Sequence, residues 1–127
     1  MKHACRRYLS AFCLTGLEAM SACHAACSDP PGPYVDWGGC DKRGMNLDGA
    51  DMRNMDLQYT NLMNASLIGA DLQGAYMWAT YLWGANLMDA NLNGAQTRGA
   101  YLIEAYLGGA RWENGRICST DSFGECL

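Results

Sequence analysis

A five-residue rhythm, small–polar–apolar–any–turn, runs through the middle of this chain and constrains it more than any single residue does. In frame from Ala65 the pentads read A-S-L-I-G, A-D-L-Q-G, A-Y-M-W-A, T-Y-L-W-G, A-N-L-M-D, A-N-L-N-G, A-Q-T-R-G, A-Y-L-I-E and A-Y-L-G-G. Backwards, the frame continues through T-N-L-M-N, M-D-L-Q-Y, A-D-M-R-N and M-N-L-D-G to C-D-K-R-G at Cys40 and V-D-W-G-G at Val35. Forwards it closes with A-R-W-E-N at Ala110. A fixed short period signals stacked units that bury their apolar faces only against one another. Such a chain points to a scaffold rather than to a catalytic cleft.

Sixteen pentads span residues 35–114, with Leu or Met at twelve of the sixteen central positions. The pattern resembles that of the pentapeptide-repeat family, A-[D/N]-L-x-x, over 80 of the 127 residues. The resemblance implies an all-β fold, a right-handed quadrilateral β-helix in which one pentad makes one side and four make one coil. Sixteen pentads then give about four coils.

The physical chemistry of the columns agrees. The central residue repeats as Leu and the residue two before it as Ala, so both point inward, while the other three positions vary through polar residues and Gly. Coils stacked at strand spacing satisfy backbone groups from coil to coil at about 4.8 Å, giving a rod of roughly 20 Å. Gly at many fifth positions permits a tight corner. With a period of twenty, the interior columns read Trp37, Leu57, Met77, Thr97, Ile117; then Lys42, Leu62, Leu82, Leu102; then Leu47, Leu67, Leu87, Leu107; then Met52, Leu72, Leu92, Trp112. Trp37 and Trp112 stand at the two ends, as plugs over an open core. Lys42 breaks the pattern and is expected to lay its stem on the core and reach the open end or a carboxylate such as Asp41 or Asp36. Thr97 puts a hydroxyl inward and calls for a backbone partner.

The flanks do not keep the period. Met1 to Arg7 carries Lys2, Arg6 and Arg7, residues 8–17 are apolar, and small residues follow to Ala25, the layout of a secretory signal peptide over residues 1–25 despite Glu18. Ten apolar residues are too few to span a bilayer. Cleavage is expected after Ala25, with Ser21 as the alternative. His24-Ala25-Ala26-Cys27 also has the outline of a lipid-attachment site, although His24 stands where an aliphatic residue is usual. Residues 26–34 form a Pro-rich lead-in and N-terminal cap, and residues 115–127 a C-terminal cap. Together the V-D-W-x-x-C opening and the W-x-x-G-x-x-C-x-x-x-S-x-G-x-C close are similar to those of exported bacterial pentapeptide-repeat proteins.

Without residues 1–25 the basic residues fall from nine to six and the acidic ones from thirteen to twelve, leaving a net charge of −6. Four cysteines remain, Cys27, Cys40, Cys118 and Cys126, an even number that suits an oxidising compartment, so a periplasmic or secreted location is expected. Pairing Cys27 with Cys40 and Cys118 with Cys126 would close two short loops. A zinc site is the rival use of the four, although no C-x-x-C pair occurs.

The polar exterior has one exception. Met63, Trp83 and Ile103 form one outward column, Tyr81 and Tyr101 the column beside it, and Ile68 and Met88 lie on the next side, with Tyr76, Trp78 and Tyr106 flanking them. These ten residues are the candidate partner-binding surface, for a protein partner or a second copy in a homodimer. The plainer reading is that stacked aromatics only stabilise the coils. Elsewhere Asp51 with Asp71, and Asp36 with Asp56, make acidic columns broken by Arg53, Arg98 and Arg111, the pattern of a solvated face. No catalytic, metal or cofactor-binding residue is expected, because His3 and His24 fall in the leader and no nucleophile has a base nearby. Net acidity disfavours nucleic-acid binding. A non-enzymatic exported scaffold is the leading reading. Its rival, drawn from the family resemblance, is a cytoplasmic DNA mimic that binds a type II topoisomerase.

Overall fold

The computed structural model describes residues 25–127. The expected signal peptide lies outside these residues but for Ala25, as do His3 and His24. A single 3₁₀ turn, Ala25–Ser28, leads in. From there the backbone is a stack of square coils.

Parallel bridges join residues twenty apart without interruption, from Asp36 with Asp56 to Asn91 with Arg111. One coil is therefore twenty residues and one pentad is one side. Coil 1 is 35–54, coil 2 is 55–74, coil 3 is 75–94 and coil 4 is 95–114. We number the sides by the pentads of coil 1: side 1 from 35–39, side 2 from 40–44, side 3 from 45–49 and side 4 from 50–54. Each side contributes one bridged residue, since a corner follows almost at once.

The corner is a four-residue turn. The amide of each first-position residue donates to the carbonyl of the central residue three before it, as from Ala70 to Leu67 at 3.0 Å. The residue between, at the fifth position, has a positive φ, whether it is Gly69 at 65° or Asn64, Ala79 and Asp89 at 56°, 52° and 57°. That is the type II pattern, which asks for a left-handed third residue. The left-handed corner already appears at Tyr34, which donates to the carbonyl of Arg53, so coil geometry begins one residue before Val35.

Asp and Asn at the second position have a mechanical role. Their side-chain oxygen accepts the amide two residues on: Asp36 from Gly38, Asp56 from Gln58, Asn61 from Met63, Asn86 from Met88. The side chain thus ties down an amide that the corner leaves unpaired.

Inside, Leu57, Leu62, Leu67, Leu72, Met77, Leu82, Leu87 and Leu92 are fully buried, each contributing about 1.5–3 kcal/mol relative to exposure. Thr60 and Thr80 replace Ala at two corners of side 2. Their buried hydroxyls donate to the carbonyls of Trp37 and Leu57 on the coil before, both at 2.7 Å.

The N-terminal plug is a layered one. Trp37 is fully buried, and its indole donates to the carbonyl of Asp29. The Lys42 ammonium sits 3.9 Å from the centre of the Trp37 ring and donates to the carbonyl of Cys27. Of the two expectations for Lys42 the open end holds and the carboxylates Asp41 and Asp36 do not: Asp41 is bound by Arg43, and the lead-in, packed over the end, presents Lys42 with a carbonyl and an aromatic face. Burial lowers the Lys42 pKa, against a raising pull from Asp29.

At the other end, Trp112 is only half buried. Thr97 donates to the carboxylate of Glu113 and not to backbone, because no fifth coil offers a carbonyl above it. Ile117 leaves the interior column altogether. It is exposed and pairs antiparallel with Arg111, since the chain turns back at Gly115 and runs over the last coil.

Both expected disulfides are present, Cys27–Cys40 with Cα atoms 5.5 Å apart and Cys118–Cys126 at 4.9 Å. That removes the zinc reading, and no metal-ligating cluster occurs among the described residues. It also weighs against lipid attachment at Cys27, whose sulfur is taken by Cys40. Among the described residues no helix is long and apolar enough to cross a membrane.

Candidate functional site

The four sides differ in what they present outward. Side 4 is polar throughout, with Asp51, Asp71, Asn91 and Arg111 at its second positions. Arg53 grips Asp51 at 2.7 Å and approaches Asp71 at 4.0 Å. Hydrogen bonds from Arg53 hold the Asp51 carboxyl below the ordinary carboxylate range, and Arg43 does the same for Asp41. On side 4 the acidic column is thus partly neutralised by Arg53.

Side 2 is the opposite case. Tyr81 and Tyr101 stack with centroids 4.9 Å apart and planes 8° from parallel. Beside them Trp83 is 49% and Ile103 63% exposed. The Trp83 indole donates to Glu104 at 2.9 Å, which holds the ring in place. Ile68 and Met88 on side 3, Trp78 on side 1 and Tyr106 on side 3 are exposed as expected, while Met63 and Tyr76 are half buried. Coil geometry thus places all ten residues on sides 1 to 3 of coils 2 to 4.

Three exposed aromatic or charged neighbours escaped sequence reasoning. Phe123 of the tail packs on Tyr106 at 4.3 Å and extends the apolar surface. Tyr59 meets Trp78 edge-on at 5.3 Å. Glu104 anchors Trp83. The signal for Tyr59 was available, because a residue nineteen before another is its ladder partner, and the Tyr59 amide donates to the Trp78 carbonyl. Phe123 carried no such signal, since it lies beyond the period. Gln58, Tyr76, Trp78, Gln96 and Arg98 line a shallow groove of about 310 Å³ on side 1.

The aromatic columns come at a cost to the coil. Where Tyr76, Tyr81, Tyr101 and Tyr106 replace Asp or Asn, the side chain can no longer accept the amide two residues on. Each such bond is worth about 0.5–1.5 kcal/mol, and an aromatic pair returns about as much. Stacking therefore offsets the loss at Tyr81 and Tyr101. At Tyr76 no ring contact does so among the described residues.

The description "pentapeptide repeats" fits eight copies over residues 46–84 and 65–100. The chain belongs to the pentapeptide-repeat family. Among solved structures it is similar to a pentapeptide-repeat protein from the thylakoid lumen of Arabidopsis thaliana, at 30% identity and a TM-score of 0.59, covering 67% of this chain and 59% of that one. It is also similar to HetL of the cyanobacterium Nostoc, described as involved in heterocyst differentiation regulation, at 30% identity and a TM-score of 0.43, covering 74% and 46% of the two chains. This pentapeptide-repeat chain thus spans about half the length of the relatives it matches. No curated protein matches it. Its relatives share the right-handed quadrilateral β-helix.

Proposed function

We propose that this pentapeptide-repeat protein is a non-enzymatic, exported scaffold that binds a protein partner through the apolar columns of side 2 and their flanks. The observation that carries the reading is local. Tyr76 gives up the second-position hydrogen bond without a ring partner among the described residues, and Trp83 and Ile103 stay exposed beside the Tyr81–Tyr101 stack. A face built only to hold coils together would keep Asp or Asn there, as side 4 does in coils 1 to 3. Flat, rigid and aromatic, the face suits an interface core, where Tyr and Trp anchor binding.

Two further features support export: two disulfides, which persist in oxidising compartments, and the thylakoid-lumen source of a 30% identical relative. The test has two arms. Expressed in bacteria with residues 1–25 in place, the protein is expected outside the cytoplasm with a new N-terminus near residue 26. Cytoplasmic retention of an intact chain would sink the export reading. Trp83→Ala with Ile103→Ser is expected to abolish cross-linking to the partner captured in that compartment without lowering the melting temperature by more than a few degrees; unchanged capture would sink the face.

A further inference from the structure

We propose that the groove on side 1 takes an acidic side chain of the protein partner, whose carboxylate binds between the Trp78 indole and the Arg98 guanidinium. The inference rests on the reading above that the partner is a protein, and it names what that partner presents. Two neighbouring sides of the same coils carry it by their difference.

Sides 1 and 2 both carry Trp at the fourth position of coil 3, Trp78 and Trp83. On side 2 the Trp83 indole donates to the carboxylate of Glu104, twenty-one residues on, at 2.9 Å. Counted the same way from Trp78, the residue is Gly99. A Cβ there would stand 3.7 Å from the Trp78 indole nitrogen, so the corner faces the indole and brings no side chain to it. The Trp78 N–H finds no acceptor among the described residues. The residue beside the corner differs as well. Where side 2 has Ile103, side 1 has Arg98, whose guanidinium makes no ion pair or hydrogen bond among the described residues. Side 2 therefore gives its tryptophan an acid, and side 1 sets a tryptophan and a cation together without one.

This chemistry selects for a carboxylate. Indole and guanidinium only donate, and a guanidinium with a free fork is the side chain best matched to two carboxylate oxygens. Glu113, which shares a recess with Arg98, is held by the Thr97 hydroxyl, and Asp56 of side 1 accepts the amide of Gln58. The groove between Gln58, Tyr76, Trp78, Gln96 and Arg98, about 310 Å³, lies at the small end of ligand-sized pockets, about 300–1,000 Å³. Tyr76 and Trp78 offer apolar contact to the stem of the incoming side chain. Tyr59 braces Trp78 edge-on at 5.3 Å, so the ring is in position before binding. Residues 26–127 carry a net charge of −6, which repels an acidic polymer but leaves one arginine to receive one acid.

The test follows the Trp78 indole N–H resonance of the disulfide-bonded chain by NMR as three probes are added: end-blocked Leu-Glu-Leu, end-blocked Leu-Gln-Leu and glucuronate. Leu-Glu-Leu is expected to move it saturably, with a Kd of about 1–10 mM, and Leu-Gln-Leu to bind at least about tenfold more weakly. Arg98→Gln, at an exposed position, is expected to weaken the response to Leu-Glu-Leu about tenfold. Gly99→Glu should fill the site from within, shifting the resonance before any probe is added and abolishing the response. Glu104 already holds the matching corner at φ 59°, against 73° for Gly99, and Gly99→Ala, which carries the same backbone strain, should keep the response. A resonance that ignores Leu-Glu-Leu, or answers Leu-Gln-Leu equally, overturns the proposal. So does a response to glucuronate alone, which would make the ligand a sugar acid, or one that survives Gly99→Glu. These readouts involve neither Trp83 nor Ile103, so they are decided separately from partner capture by side 2.

Discussion

At the scale of the residue, the pentad is a device for turning a corner. The fifth residue must be left-handed, so its identity is a direct lever on stability. At Gly69 an added Cβ would meet nothing within 4 Å, leaving only backbone strain. Gly69→Ala is therefore expected to cost about 1 kcal/mol, and Ala79→Gly, at φ 52°, to stabilise by up to about 1 kcal/mol, both read from thermal unfolding. The second position separates stability from binding. Tyr76→Asp restores the missing side-chain bond and should leave stability unchanged or raised by about 0.5–1 kcal/mol while weakening partner capture. Asp51 gives a pH signature. Its folded pKa lies below the ordinary 3.8, so its contribution is present above that value and disappears as pH falls through the folded one. Asp51→Asn should lower the melting temperature at neutral pH and have no effect in strong acid.

At the scale of the element, the coils and the caps were legible to different degrees. Sixteen central residues in a strict frame placed Leu57 through Leu92 in the core, and stacking has only one way to bury them. The ends obey no such period. The sequence suggested plugs at Trp37 and Trp112, yet Lys42 found the Cys27 carbonyl and the Trp37 ring because the lead-in folds across the end, a contact no repeat can announce. Ile117 kept the spacing of the interior column and left it anyway, since Gly115 reverses the chain. The ten-residue face was legible from its columns, but its second-position cost became visible only once the Asp and Asn side chains were seen to bind amides. The N-terminal cap makes a sharp prediction. Cys27 and Cys40 close a loop of thirteen residues, worth up to about 3 kcal/mol. Replacing both with Ser should lower stability by about that much and expose Trp37, detected as a red shift of its fluorescence.

At the scale of the whole molecule, four sides share one interior and differ in their exteriors and ends. Side 4 is polar, side 2 is apolar in coils 3 and 4, and the tail runs over sides 4 and 3. On the proposed reading, a rigid rod with one apolar flank holds a partner along its length. Fold alone does not fix such roles; the departures from the repeat do. Hydrogen exchange resolved to single amides tests this account most directly, because the ladder, its corners and its bare edge each make a separate demand. The account predicts slow exchange at the third- and fifth-position amides of coils 1 to 3. It also predicts fast exchange at Thr97, Gly99, Leu102 and Glu104, which have no backbone acceptor among the described residues. Uniformly fast exchange through residues 35–94, or slow exchange at those four amides, would contradict it.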